Sequence, residues 1–254
     1  MSGETIRIAG ASGFWGDAAR STPQLLKDED VDFIVYDYLA EITMSIMARA
    51  RAKNPDNGYA LDFVSAVMKP NLKEIARQSV RIVSNAGGVN PRACADALRG
   101  VIAELNLDLK VACVLGDDMI GQRDEIAAQG HKEMFSGDGF PDVSKVASIN
   151  AYLGAFPVAR ALQEGADIVI TGRSVDSAVT LGACIDAFGW GRGDLNQLAM
   201  GSLAGHILEC GPQATGGNFT DWELSNNLEN IGYPVAEIRQ DGSFLCSKPK
   251  GTGG

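Results

Sequence analysis

Asp167-Ile-Val-Ile-Thr-Gly-Arg-Ser-Val-Asp-Ser177 joins a short apolar run to a small, polar, glycine-containing exit, and helical sequence follows. An unbroken apolar run of this length is the mark of a strand buried on both faces, as in a parallel sheet. Four other segments repeat the pattern. Ile6-Arg-Ile8 leads into Gly10-Ala-Ser-Gly-Phe-Trp-Gly-Asp17, and Phe33-Ile-Val-Tyr36 into Asp37-Tyr-Leu-Ala-Glu41. Arg81-Ile-Val83 leads into Ser84-Asn-Ala-Gly-Gly-Val-Asn-Pro-Arg92, and Val111-Ala-Cys-Val-Leu115 into Gly116-Asp-Asp118. Strands near 5–10, 32–37, 81–85, 110–115 and 166–171, separated by helical sequence, predict an α/β fold. Its sheet is doubly wound, mostly parallel and Rossmann-like. In such a sheet the exits share one edge, where open α/β folds bind ligands.

The intervening helices are expected near 17–29, 39–53, 60–79, 91–106, 121–130, 150–164, 175–188 and 194–209. Pro23 is expected to delay the first of them, and Pro70 to interrupt the third. After Cys210-Gly-Pro212 the texture changes to a glycine-rich loop. Pro234 to Cys246 then reads as a β-hairpin turning at Asp241-Gly242. The expected organisation is an α/β domain over 1–210 and a small β-rich C-terminal appendage over 211–254. That appendage is read as the start of a truncated C-terminal portion.

The chain has 254 residues, 45% of them hydrophobic, enough for a sizeable core. With 22 basic against 32 acidic residues, its net charge of −10 argues against nucleic-acid binding, which needs a basic face. A local cationic pocket for an anionic small molecule is still compatible with it. No apolar stretch approaches the roughly 18 residues of a membrane span. The N-terminus, Met1-Ser-Gly-Glu4, lacks a basic and an apolar leader segment. Cys94, Cys113, Cys184, Cys210 and Cys246 form no C-x-x-C pair, so reduced thiols in the cytoplasm are expected. His131 and His206 stand in no metal-ligand spacing, and there is no G-x-S-x-G elbow.

Each exit has a chemical and a plain structural reading. Gly10, Gly13 and Gly16 have the spacing of a nucleotide loop, with Asp37 placed to meet a ribose. Trp15 is bulky there, no tyrosine has lysine four residues on, and a glycine turn for packing explains the spacing equally well. In the third exit Asn85 and Asn90 offer amides, Gly87-Gly88 an anion nest, and Arg92 a bidentate clamp. The alternative is helix capping by Asn90 with a solvated Arg92. Asp117 is a candidate base, or a helix cap, and Asp117 and Asp118 together a candidate cation pair. In the fifth exit Arg173 is placed to hold an anion, with Asp176 as base or as its orienting partner.

Ala9-Gly-Ala-Ser-Gly-Phe-Trp-Gly-Asp17, Tyr36-Asp-Tyr-Leu-Ala-Glu41, Asn85 to Arg92, Asn150-Ala-Tyr-Leu-Gly-Ala155, Thr171-Gly-Arg173, Asp176-Ser177 and Leu203-Ala-Gly-His-Ile-Leu-Glu-Cys-Gly211 closely resemble the acyclic terpene utilisation family, AtuA. The resemblance covers essentially the whole chain. It implies a part in the breakdown of acyclic terpenes such as citronellol and geraniol through branched acyl-CoA intermediates. It supplies no catalytic residue, and it allows a small partner subunit or fused domain.

The expected function is therefore an enzyme acting on a small carboxylate or acyl-CoA thioester, in a hydratase or lyase step. Asp117, Asp176 and Arg173 are the candidate catalytic residues. Ser12, Asp37, Asn85, Gly87, Gly88, Asn90, Arg92, Asn150 and Ser177 are the candidates for substrate binding, with Gly87-Gly88 amides at an enolate oxygen. The geometric expectation is that Arg92, Asp117 and Arg173 face one cleft. No metal or nicotinamide signal stands out, and the cofactor is left open. A homo-oligomer is expected. The alternatives are a non-catalytic accessory subunit binding the same metabolites and a nucleotide-dependent oxidoreductase.

Overall fold

The computed structural model describes residues 5–28 and 30–254. Residues 1–4, where the sequence lacks a leader pattern, and Glu29, at the end of the first expected helix, lie outside the described residues. Five strands run parallel: β1 (Thr5–Gly10), β2 (Phe33–Tyr36), β3 (Arg81–Ser84), β4 (Val111–Val114) and β5 (Ile168–Thr171). β6 (Val235–Arg239) and β7 (Phe244–Ser247) are antiparallel, and the full order is β4-β5-β3-β2-β1-β6-β7. The C-terminal hairpin is thus built onto the main sheet, with Thr5 opposite Arg239 and Ala9 opposite Val235.

Among the described residues eight α-helices pack around this sheet: α1 (Ala18–Leu25), α2 (Glu41–Lys53), α3 (Lys69–Gln78), α4 (Pro91–Glu104), α5 (Arg123–Ala128), α6 (Ala155–Gln163), α7 (Ala178–Phe188) and α8 (Leu195–Glu209). Alternation along the strands sorts their side chains into two cores. Ile34, Tyr36, Ile82, Ile168 and Ile170 meet Leu25, Met47, Leu72 and Leu98 from α1–α4 on one face. Phe33, Val35, Val83 and Val169 meet Val158, Leu162, Val179 and Leu208 from α6–α8 on the other. Right-handed crossovers explain the division. From β1 to β4 the chain steps one way across the sheet; β5 returns between β3 and β4, so later helices fall on the opposite face. The exits of neighbouring β3 and β5 therefore leave toward opposite faces.

Three local expectations change. Pro23 lies inside α1 without delaying it, because both Pro23 and Ala19, whose carbonyl loses its partner, face solvent. Pro70 does not break the third helix: a wide π-helical turn at Phe63–Met68 precedes α3 and takes up the missing donor. Residues 150–154 are extended instead of helical. Asn150 bridges Asp118, and Leu153 donates to Arg173 O while Val175 N donates to Leu153 O. The five cysteines are free. Among the described residues no helix is long and apolar enough to cross a membrane.

Arg81 fastens the α6–α7 face to the sheet. Its guanidinium lies 2.5 Å from Asp186, donates to Leu162 O at 2.6 Å and to Ala166 O, and stacks over Phe33. The two charged side chains are only 14% and 10% exposed. Arg81→Ala should destabilise the protein by about 3–5 kcal/mol, since Asp186 is left buried and unpaired. Adding Asp186→Leu should recover part of the loss, which denaturant titration of both variants measures.

Candidate active site

Arg173, on the β5 exit, is 4% exposed and reaches across to the β2 exit. One terminal nitrogen donates to Leu39 O at 2.8 Å and to Asp176 Oδ1 at 3.0 Å. The other donates to the Tyr152 hydroxyl at 3.0 Å and lies 3.5 Å from Glu41 Oε1. The Tyr152 ring stacks on the guanidinium at 4.1 Å, and its hydroxyl donates to Glu41 at 2.7 Å. A buried cation is tolerated when its donors are satisfied in this way.

Asp117 is 2% exposed and turns inward. Its Oδ2 accepts the backbone N–H of Arg173 and the side-chain amide of Asn150, both at 2.8 Å. Its carbonyl accepts the N–H of Ala151. The carboxylate lies so close beneath Gly172 that no side chain fits there. Burial raises its pKa, against those hydrogen bonds. Asp117 thus joins the β4 exit, the 150–152 segment and the β5 exit.

On the far side of Arg173, Asp37, Asp176 and Glu209 bring carboxylate oxygens within 4.8 Å of one another. Asp37 comes from the β2 exit and Asp176 from the β5 exit, while Glu209 ends α8. Asn85 orders this corner: its side-chain N–H donates to Asp37 Oδ1 at 2.5 Å, and its carbonyl accepts Tyr38 N at 2.8 Å. Ser12 donates to Asp37 O at 2.9 Å. Burial, then proximity to Asp176 and Asp37, pushes Glu209 up to about 8. Burial raises Asp37 to about 6, opposed by its bond from Asn85. Cys210 Sγ lies 3.9 Å from Glu209 Oε1, and exposed His206 places Nδ1 3.1 Å from it. Such a trio can share protons or ligate one divalent cation.

Two cavities flank the start of α2. One, of about 520 Å³, is lined by Arg173, Tyr152, Glu41, Arg49, Lys145 and Asn150. The other, of about 420 Å³, has Asp37, Asp176, Glu209 and Cys210 at its polar end and Phe14, Trp15, Leu39, Ile42 and Ile46 around the rest.

The remaining candidates are placed elsewhere. Gly87 and Gly88 are buried: Gly87 lies against Thr171 O and Pro91, and Gly88, at φ +53°, against Met47 and Gly58 O. Gly88 N already donates to Asn85 O at 3.2 Å. Asn90 donates to Pro55 O and Asn57 O, both at 2.9 Å, tying down that loop. Ser177 packs against Gly205 of α8. Arg92 is exposed and lines a hollow of about 220 Å³ with Arg51, Asp117 and Asp118. Arg92 and Arg173 line different hollows of this edge, at its two ends, and Asp117 between them faces into the protein.

The first exit carries its own anion. Asp17 Oδ2 accepts Gly13 N at 2.9 Å, and the carboxylate also meets the N–H of Phe14. A nucleotide phosphate would need those same donors. Burial raises Asp17 to about 6. Gly10 and Gly13 leave no room for side chains because the carbonyls of Leu208 and Cys210 lie against them.

Glu41, Tyr152 and Glu209 escaped the candidate list. Tyr152 was hidden by the helical reading of 150–164. Glu209 carried one signal, a carboxylate at a helix C-terminus, where the helix dipole disfavours it. Asp37 and Glu209 bind protons more tightly folded than unfolded, so their stabilising contribution is full below about pH 4 and is lost as pH rises through 6 and then 8. Thermal melts should show Glu209→Gln more stable than the parent at about pH 9, with the difference vanishing near pH 4.

Neither a curated protein nor a solved structure matches the chain. Its residues 6–254 match the family described as acyclic terpene utilisation family protein AtuA. That span takes in every strand of the sheet but the first residue of β1, together with all the residues of the carboxylate trio, and the chain belongs to this family.

Proposed function

We propose that the protein is a catabolic enzyme of acyclic terpene utilisation, performing a hydration or elimination on a small branched carboxylate or its acyl-CoA thioester. The observation that carries this reading is the Asp37–Asp176–Glu209 trio beside Arg173. Hydration of an α,β-unsaturated acyl group needs a base for water and an acid for the α-carbon. Carboxyl groups held near neutrality by burial and mutual repulsion are suited to both roles. An ionised Asp37 takes a proton from water as the oxygen bonds the β-carbon. The π electrons move through the α-carbon onto the carbonyl oxygen. Glu209, protonated at neutral pH, then gives its proton to the α-carbon; elimination is the reverse. Asp176, paired with Arg173, lies beside Glu209 and helps to keep that proton in place. His206 offers a path for proton exchange with solvent.

The apolar side of the second cavity suits a branched hydrocarbon chain, with the reacting carbons nearest the carboxylates. Gly87 and Gly88 do not enter this scheme, because their backbone is buried. The free thiols suit a cytoplasmic setting. The Asp17 carboxylate on the Gly13 and Phe14 amides weighs against nucleotide-dependent redox chemistry.

With a candidate enoyl-CoA, kcat/KM should follow a bell-shaped pH profile, with an acidic limb near 6 from Asp37 and a basic limb near 8 from Glu209. Glu209→Gln should abolish the basic limb and lower kcat by about 100-fold or more. Asp37→Asn should act likewise on the acidic limb. Unchanged turnover in both variants, or thioester binding with no turnover at all, would defeat this reading, the latter in favour of an accessory binding subunit. Saturating NADH or NADPH should leave the melting temperature unchanged.

A further inference from the structure

Three hollows run end to end along one flank of α2. The cavity at Arg173, of about 520 Å³, shares Ala48, Ala147 and Ser148 with a second of about 240 Å³. The second shares Arg51, Val89 and Asp118 with the hollow of about 220 Å³ at Arg92. Together they form a groove from Tyr152 to Arg92. Its floor is apolar, with Met44, Ala48, Ala52 and Val89.

The charge along this groove runs against that of the whole chain, which has ten more acidic than basic residues. Beyond Arg173, the groove carries Arg49, Lys145, Arg51 and Arg92. The acids beside them are already engaged. Glu41 is held by Tyr152 and Arg173, and Asp117 by Asn150 and the Arg173 N–H. Asp118 accepts Ile120 N at 3.0 Å and lies 3.6 Å from Arg51. Among the described residues Arg49, Lys145 and Arg92 have no ion pair.

Unpaired cations spaced along an apolar groove suit a long ligand bearing several phosphates better than one compact anion. We infer that this groove holds the phosphorylated tail of a coenzyme A-type thioester, with Arg49, Lys145 and Arg92 as phosphate contacts. The thioester end then leaves the groove at Tyr152 and Arg173, where it adjoins the carboxylate cavity across residues 39–42, so that the acyl chain enters that cavity. The assignment rests on the proposed acyl-group chemistry for the ligand's identity, and adds where its non-reacting part is held.

The test is calorimetric titration of the whole chain with coenzyme A. Binding should be saturable and should weaken as salt rises. Arg49→Ser/Lys145→Ser and, separately, Arg92→Ser should each lower the affinity about tenfold or more, the loss expected for a charge-assisted phosphate contact. These side chains are exposed, so the melting temperature should be retained. An acyl-pantetheine thioester, which lacks the nucleotide phosphates, should bind parent and variants equally and more weakly than coenzyme A binds the parent. Coenzyme A affinity unchanged in both variants, or matched by the pantetheine thioester, overturns the inference. Glu209-dependent turnover of a free acid with no coenzyme A binding also overturns it, while leaving the acid–base reading intact. Coenzyme A binding that depends on Arg49 and Arg92, with turnover indifferent to Glu209→Gln, supports the groove and defeats that reading instead.

Discussion

The handedness of β-α-β crossovers is the constraint from which the rest of this molecule follows. With right-handed connections, the helices after β1, β2 and β3 must cover one face of the sheet. Once β5 inserts between β3 and β4, the next helices must cover the other. The two exits flanking the reversal diverge beyond the point where Gly87 lies against Thr171 O. Arg173, on the second of them, ties it to the β2 exit and to the 150–154 segment, reaching Leu39, Asp176 and Tyr152 with one planar group. A lysine also has three donors, but from one compact point charge, so it could neither span these separated partners nor present a planar face to the Tyr152 ring.

That arrangement separates two chemical environments at one sheet edge. On one side of the guanidinium lie Tyr152, Glu41 and a cavity with unpaired cations. On the other lie Asp37, Asp176 and Glu209. Arg173 balances part of the acidic side through Asp176, yet Glu209 stays beyond its direct reach and is raised further than Asp37. Such uneven neutralisation lets adjacent carboxyl groups hold different protonation states at one pH, which a step that both removes and delivers a proton requires.

Much of the sheet was legible because apolar runs such as Phe33 to Tyr36 and Ile168 to Ile170 are short, unbroken and followed by polar turns. The exits of β2, β3 and β5 were legible for the same reason, as were Asp37, Asn85, Arg173 and Asp176 on them. What was not legible depends on distance in sequence. Asp117 looked like an open carboxylate because nothing local shows that Asn150 and the Arg173 amide close over it. The Gly87-Gly88 pair looked like an anion nest because the approach of Met47 and Thr171 is a tertiary fact. Tyr152 was lost to helical periodicity, which the pairing of Leu153 with the β5 exit overrides.

The glycine loop after β1 shows how a motif can matter to a site without touching its ligand. Gly10 and Gly13 are small because the end of α8 lies against them, and Gly205 is small because Ser177 lies against α8 from the other side. Gly211, at φ +52°, turns the chain away beside Gly13. These close approaches fix the last turn of α8 between the first and fifth exits, and that turn carries Glu209. A side chain at any of these positions would push the helix end outward and separate Glu209 from Asp37 and Asp176. The pKa of Glu209 depends on burial and on those two neighbours, so it would fall toward the ordinary carboxylate range as the helix moved. The spacing that resembles a phosphate loop is better understood as the seat of a helix whose final residue, Glu209, is pushed up to about 8 by burial and its two neighbours.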